Sequence, residues 1–182
     1  MKGLVVSGSN SLFQIACDDG VRRFCGIKGK RLRDLTGTWN SLAAGDRVEL
    51  EIDERTSTQG LVTALLPRRN VFGRFNEKGQ SSQAIAANLD LVVCVTSPRL
   101  PPFRPRFIDR VAVLAEAAAI PFLIVLNKSD LGFDEDIEDR LAEYQEFGYD
   151  VHVASADSGE GIPELREFID GDVSVFVGQS GV

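Results

Sequence analysis

The chain has 182 residues, 43% of them hydrophobic, and a formal net charge of −7, which suits one large or two small domains with roughly 70% of the unfolded chain's surface buried. Three cysteines, Cys17, Cys25 and Cys94, are odd in number and form no C-x-x-C pair; neither a disulfide framework nor a zinc cluster is supported, and a reduced, cytoplasmic setting is expected. The apolar start is too short for a signal peptide, and the longest apolar region, Val111 to Leu126, is broken by Glu116 and Pro121, which excludes a membrane span.

From Lys2 to Leu66 the chain offers short β-rich runs between turn signals: Gly3–Ala16, the Asp18-Asp19-Gly20 turn, Val21–Ile27, Asp46–Ile52 and Gly60–Leu66. About five strands in so short a stretch suit an oligonucleotide-binding (OB) barrel over residues 1–68, with an SH3-like barrel as the competing reading. The charge is unevenly spread: residues 1–75 hold 12 Lys+Arg against 8 Asp+Glu, whereas residues 76–182 hold 8 against 19. Arg22-Arg23, Lys28/Lys30/Arg31/Arg33 and Arg68-Arg69 with Arg74 are expected to form a stripe that neutralises nucleic-acid phosphates, or else an ordinary solvated face. Residues 69–88, polar and containing Gly, read as a linker.

Residues 89–182 alternate between strands and helices: strand Leu89–Thr96, helix Arg106–Ala119, strand Pro121–Leu126, helix Asp136–Phe147, strand Val151–Ser155, helix Pro163–Asp170, strand Val173–Val177. Runs such as Leu91–Val95 and Phe122–Leu126 are apolar throughout, as strands covered on both faces require, so the expected fold is α/β with a parallel, doubly wound sheet. Ligands of such sheets bind at the strands' carboxyl ends.

Three motifs fall at those ends. After Phe122–Leu126 comes Asn127-Lys128-Ser129-Asp130. Guanine offers two adjacent donors, N1–H and the N2 amino group, and the carboxylate of Asp130 can accept both, whereas adenine has no such pair. Lys128 is expected to lie along the base plane and Asn127 to tie the loop to its neighbours. After Val151–Ala154 come Ser155 and Ala156, a small residue with a backbone N–H free to approach the guanine carbonyl, although a serine there can equally be a helix cap. After Val173–Val177 comes Gly178-Gln179-Ser180-Gly181-Val182, which matches the opening of G-x-x-x-x-G-K-[ST], where glycines let backbone N–H groups converge on phosphates. A hydrolase elbow, G-x-S-x-G, is disfavoured because position 182 is Val and the only histidine, His152, precedes Ser180.

Together with Leu66–Asn70, Gln83–Asp90 and Asp109-Arg110 through Leu114–Ala117, these motifs resemble the ribosome small-subunit-dependent GTPases, a circularly permuted family of small-subunit biogenesis, along the whole chain. The resemblance implies an OB domain contacting ribosomal RNA, a permuted GTPase domain binding GTP or GDP with Mg²⁺, and a C-terminal zinc domain carrying Zn²⁺. It further implies hydrolysis stimulated by the small ribosomal subunit, in a cytoplasmic monomer. The base-reading residues would be Asn127, Lys128, Ser129, Asp130, Ser155 and Ala156, and the phosphate loop would open at Gly178, Gln179, Ser180, Gly181 and Val182. The family's Gly-Lys-Ser, switch segments, Mg²⁺-binding residues and zinc domain would follow Val182. A fragment truncated within the phosphate loop is therefore expected, with no catalytic residue or metal ligand of its own and no GTP hydrolysis. The alternative is an RNA-binding module with a degenerate nucleotide fold.

Overall fold

The computed structural model describes residues 1–9, 11–29, 42–53, 55–76 and 81–182, in two compact units, Met1–Asn88 and Leu89–Val182. In the first unit five strands, β1 (Lys2–Ser9), β2 (Leu12–Cys17), β3 (Arg22–Ile27), β4 (Arg47–Ile52) and β5 (Gln59–Leu65), close into a barrel of order β1-β2-β3-β5-β4. Neighbours are antiparallel except β3 and β5, which run parallel. This is the five-stranded Greek-key barrel of an OB-fold. The run Gly3–Ala16 holds two of the strands, folded back so that Val5 faces Ile15 and Gly8 faces Phe13. Alternation along each strand sends Val5, Phe13, Ile15, Cys25, Val48, Leu50 and Val62 inward, where they pack together as the barrel core.

Residues 69–88, expected as a linker, contain an antiparallel hairpin of β6 (Val71–Asn76) and β7 (Ser81–Ala87). It is stitched to the barrel unit: Ala87 N donates to Ala44 O at 2.9 Å, Asn88 Nδ2 donates to Gly45 O at 2.8 Å, and Phe72 is buried. Gly45, at φ +87°, lies so close to Ala87 that a Cβ would meet its carbonyl oxygen at 2.0 Å. The polar, Gly-containing composition hid an alternation in which Phe72, Ala84 and Ala86 point inward.

Among the described residues, most members of the expected basic stripe are engaged within the barrel unit. Arg23 is buried; it pairs bidentately with Asp19 at 2.8 and 2.7 Å and donates to Ser57 O at 2.8 Å. Arg68 pairs bidentately with the fully buried Asp46. Arg69 donates to Asn88 O, Arg74 to Gln83, and Lys28 pairs with Glu51 at the surface. Acidic partners one strand or turn away, invisible to a count of charges, explain the difference. Lys30, Arg31 and Arg33 lie outside the described residues.

In the second unit β8 (Leu91–Thr96), β9 (Phe122–Leu126), β10 (Asp150–Val153) and β11 (Ser174–Gly178) form a parallel sheet of order β10-β9-β8-β11. The connecting helices are α1 (Pro105–Ala117), α2 (Glu135–Glu146) and α3 (Ile162–Phe168). Helix α1 starts on a proline, and α2 is capped by Asp134, whose side chain accepts from Ile137 N. Leu165 and Ile169, in α3 and just beyond it, pack on a cluster of Leu91, Val93, Leu123 and Val125. Val92, Cys94, Ile124 and Leu126 alternate to the opposite face and are equally buried, and α1 contacts both strands. This is why β8 and β9 read as unbroken apolar runs.

Candidate nucleotide site

Every segment with site-like chemistry leaves a strand at the same edge of the parallel sheet. The exits of β9 and β10 carry residues 127–131 and 154–161, and the exit of β11 carries 178–182, with β8 between β9 and β11. At about 4.8 Å per strand, the β9 and β11 exits are separated by about 10 Å, the span from a base to its phosphates.

Hydrogen bonds join these exits. Asn127 N donates to Thr96 O at 2.8 Å and Ser129 N to Ala154 O at 3.2 Å. Lys128 adopts left-handed backbone, φ 62°. Its ammonium donates to Leu100 O at 2.5 Å and also to Gly181 O. One side chain thus ties the Asn127–Asp130 turn to the glycine loop and to the segment after β8. Asp130 is exposed; its Oδ1 accepts from the buried Ser155 Oγ at 2.6 Å. A carboxylate has about four lone-pair sites, so Asp130 keeps capacity for two further donors. Ser155 Oγ in turn accepts from Ser158 N at 3.1 Å, so this serine orients the carboxylate and caps the following turn at once.

One detail differs from the sequence expectation. The N–H of Ala156 is not free but is donated to Asn127 Oδ1 at 2.9 Å, because the Asn127 side chain crosses from the β9 exit to the β10 exit. Gly178 pairs with Val95, and a Cβ there would meet Val95 O at 2.8 Å and Val182 Cγ2 at 2.7 Å. Only glycine lets the loop leave the sheet this closely. Val182 N donates back to Gln179 O at 3.3 Å, and Gly181 stands at φ +87°, so residues 179–182 form a turn with Ser180 at its exposed crest.

Two features escaped the sequence reading. Thr96 Oγ1, Ser129 Oγ and Gln179 Oε1, at the exits of β8, β9 and β11, are buried without a partner. An unpaired buried polar group costs roughly 1–3 kcal/mol; Ser174 Oγ, at the other end of β11, and Arg140 Nε are orphaned too, so three of the five such atoms among the described residues lie at this edge. Beside the glycine loop lies a cleft of about 750 Å³ lined by Gln179 and by Phe103, Arg104, Arg106, Phe107 and Arg110 at the start of α1. Arg104, Arg106 and Arg110 are exposed and make no ion pair among the described residues. They concentrate positive charge beside the glycine loop of an otherwise acidic unit, with Asp109 and Arg140 also in the lining. Arg104 and Arg106, spread between a loop and a helix, form no motif, and Arg110 stood out only as part of the Asp109–Ala117 stretch; the carbonyl of Leu100 acts through backbone that any residue carries.

Neighbouring groups are structural. Burial pushes the Cys94 thiol up to about 12, so it is inert. Burial first, then the bond to Asp109 at 2.6 Å, raises Tyr144 well above its ordinary range. Among the described residues no three His, Cys, Asp or Glu side chains gather as a metal held by such side chains alone would need. No helix among them is long and apolar enough to cross a membrane.

Residues 65–182 match the family model described as RsgA GTPase. Among curated proteins, the small ribosomal subunit biogenesis GTPase RsgA of Chlorobaculum tepidum is 35% identical over all of this chain and 60% of its own length. That of Porphyromonas gingivalis is also 35% identical, over all of this chain and 59% of its own length. The chain therefore spans about 60% of the curated relatives it matches. Among solved structures, YjeQ from Thermotoga maritima superposes with a TM-score of 0.71 at 32% identity, covering 99% of this chain and 60% of that one. YloQ, described as a circularly permuted GTPase, superposes at 0.66 with 24% identity, a likeness of fold alone.

Proposed function

The chain belongs to the RsgA GTPase family, and on that premise we propose that it is the barrel and base-reading part of a GTP-hydrolysing factor for small-subunit biogenesis. The observation that carries this reading is the Lys128 ammonium, shared between the turn that holds Asp130 and the carbonyl of Gly181. A base and a phosphate chain attached to it are then held by one connected set of loops.

In this reading Asp130 accepts guanine N1–H and the N2 amino group while Ser155 keeps it in place. The stem of Lys128 lies along the base. The guanine carbonyl competes with Asn127 Oδ1 for the N–H of Ala156. The loop Gly178–Val182 turns its backbone toward the phosphates, and Arg104, Arg106 and Arg110 supply the field that favours anions there. Charge-assisted bonds contribute roughly 1.5–3 kcal/mol each, and a site built for guanine's donors rejects a base lacking them by on the order of 10⁴-fold.

When bound, Mg²⁺ would neutralise charge on the transferring phosphoryl group. The family's Mg²⁺-binding residues are assigned to the part of the relatives' length that this chain does not span, so by themselves these 182 residues are proposed to bind guanine nucleotide weakly without hydrolysing it. Zn²⁺ is assigned to the part of the relatives' length that this chain does not span. The small ribosomal subunit and its RNA are the proposed partners, met through the barrel, by a monomer in the cytoplasm.

The test is Asp130→Asn. An Asn side chain offers one donor and one acceptor in place of two acceptors, which suits xanthine, with one N–H and one carbonyl at the same edge. Calorimetry should show GDP affinity lost and xanthosine diphosphate affinity gained. Unchanged GDP affinity would remove Asp130 from base recognition.

A further inference from the structure

β10 is the last of the described strands on its side of the parallel sheet. Ala154 N donates to Leu126 O at 2.9 Å, so by the alternation of a strand the N–H and C=O of Val151 and the N–H of Val153 point away from β9. The side chains of Val151 and Val153 lie on the α2 face, where with Phe133, Leu141 and Ala142 they line a shallow groove of about 290 Å³. Val153 is 41% exposed. His152 lies on the other face against Phe168, with ring centroids 6.5 Å apart, and Phe168 is 44% exposed. Glu138 also lines the groove, and at 100° per residue Glu135, Asp139 and Glu146 fall on the flank of α2 beside it. All four carboxylates are exposed and make no ion pair among the described residues. Arg140 is turned to the opposite flank, over the Tyr144 ring and toward Asp109 of α1.

We propose that this edge takes an extended, lysine- or arginine-rich segment of a protein partner as an added strand. The main chain of the segment bonds to Val151 and Val153. Its cationic side chains lay their stems over the apolar groove and carry their heads to Glu138 and the neighbouring carboxylates, while the alternate, apolar side chains meet His152 and Phe168 on the other face. Three observations favour this occupant. The outward N–H and C=O groups call for an extended partner, since a docked helix has already bonded its own main chain. Four unpaired carboxylates repel nucleic acid and acidic peptides and attract cations. A second copy of the chain pairing edge to edge would bring the same carboxylates against each other. The contact makes no use of the glycine loop, which leaves the sheet from its opposite side.

The test follows backbone amide resonances of the isotope-labelled 182-residue chain during titration with an acetylated, amidated octapeptide of alternating lysine and valine. Amides of β10 and of the groove side of α2 should shift along one binding curve, with those of Gly178–Val182 unmoved. The same peptide N-methylated throughout has no main-chain donor and should bind at least about tenfold more weakly. Glu138→Gln/Asp139→Asn should weaken the unmodified peptide about 2- to 30-fold, and an octapeptide of alternating glutamate and valine should not bind. Val153→Pro removes one outward N–H at a place where an edge strand tolerates proline, and should weaken binding about 2- to 12-fold. Circular dichroism melts check that this variant is folded, and the N-methylated probe decides the same point without any variant. Equal binding of the N-methylated peptide would reduce the contact to lysines coating an acidic surface and overturn the added strand. Binding of the glutamate peptide as tight as that of the lysine peptide would overturn the choice of a basic partner. No shift at millimolar lysine peptide would overturn the proposal outright. Self-association of the chain abolished by Val153→Pro would give the edge to a second copy and end it.

Discussion

Arg68 carries a positive charge at the end of the barrel, and its side chain is nevertheless a structural part. Its Nε and Nη2 each lie 2.7 Å from the two oxygens of Asp46, whose side chain is 0% exposed. Among the described residues that carboxylate also accepts from Ala43 N at 2.8 Å. Arg68→Ala strands a buried charge on a single N–H, at a cost of about 3–5 kcal/mol. Against a total stability of roughly 5–15 kcal/mol that is a large share. At about 4–8 °C per kcal/mol for a unit of this size, its melting point should fall by about 12–40 °C. The double variant Asp46→Asn/Arg68→Met removes both charges, keeps an acceptor for Ala43 N, and should recover most of the loss. Calorimetric melts of the three variants test this, with RNA titrations in the cold where all are folded. An Arg68→Ala melt within about 2 °C of the parent, a change under 1 kcal/mol, accompanied by a reduced RNA salt slope, would refute the structural assignment.

Lys128→Ala removes two charge-assisted bonds at a half-buried position, and with them the link between the Asp130 turn and the glycine loop. Hydrogen exchange at Gly181 and Val182 should accelerate by roughly tenfold, as expected for about 1.4 kcal/mol, while exchange in the core of β9 stays slow. Cys94 gives an alkaline signature. Its thiol titrates near an ordinary 9.0 when unfolded and near about 12 when folded, so the folded state keeps a proton that the unfolded state releases. Its contribution is whole below pH 9 and is lost as pH rises toward 12, by roughly 4 kcal/mol at 1.36 kcal/mol per unit. Urea melts from pH 8 to 11 should show that decline, and Cys94→Ala should flatten it.

How far the fold could be read ahead depended on whether a feature acts through a side-chain pattern or through space. The seven elements of the second unit were readable because fully covered strands leave unbroken apolar runs such as Phe122–Leu126, and helices leave a 3.6-residue period. Asn127–Asp130 and Gly178–Val182 could be placed at strand exits because each follows an apolar run, and the close backbone approach at Gly178 demands a glycine. The β6–β7 hairpin was not readable, because apart from Phe72 its buried residues, Ala84, Ala86 and Ala87, are small and its polar residues look like linker. The fate of Arg23 and Arg68 was unreadable for a different reason: Asp19 and Asp46 become their partners only once the barrel closes. The Leu100 carbonyl and the donation from Ala156 to Asn127 lie in the backbone, where composition leaves no trace.

The central claim is that the turn at Asp130, the turn at Ala156 and the loop at Gly181 face one guanine nucleotide. Titrating GDP into the isotope-labelled 182-residue chain, and following backbone amide resonances, tests it most directly. The account predicts that Asp130, Ala156 and Gly181 shift together along one binding curve, and that ADP at the same concentrations moves none of them. Shifts confined to one of these segments, or an equal response to ADP, would contradict it.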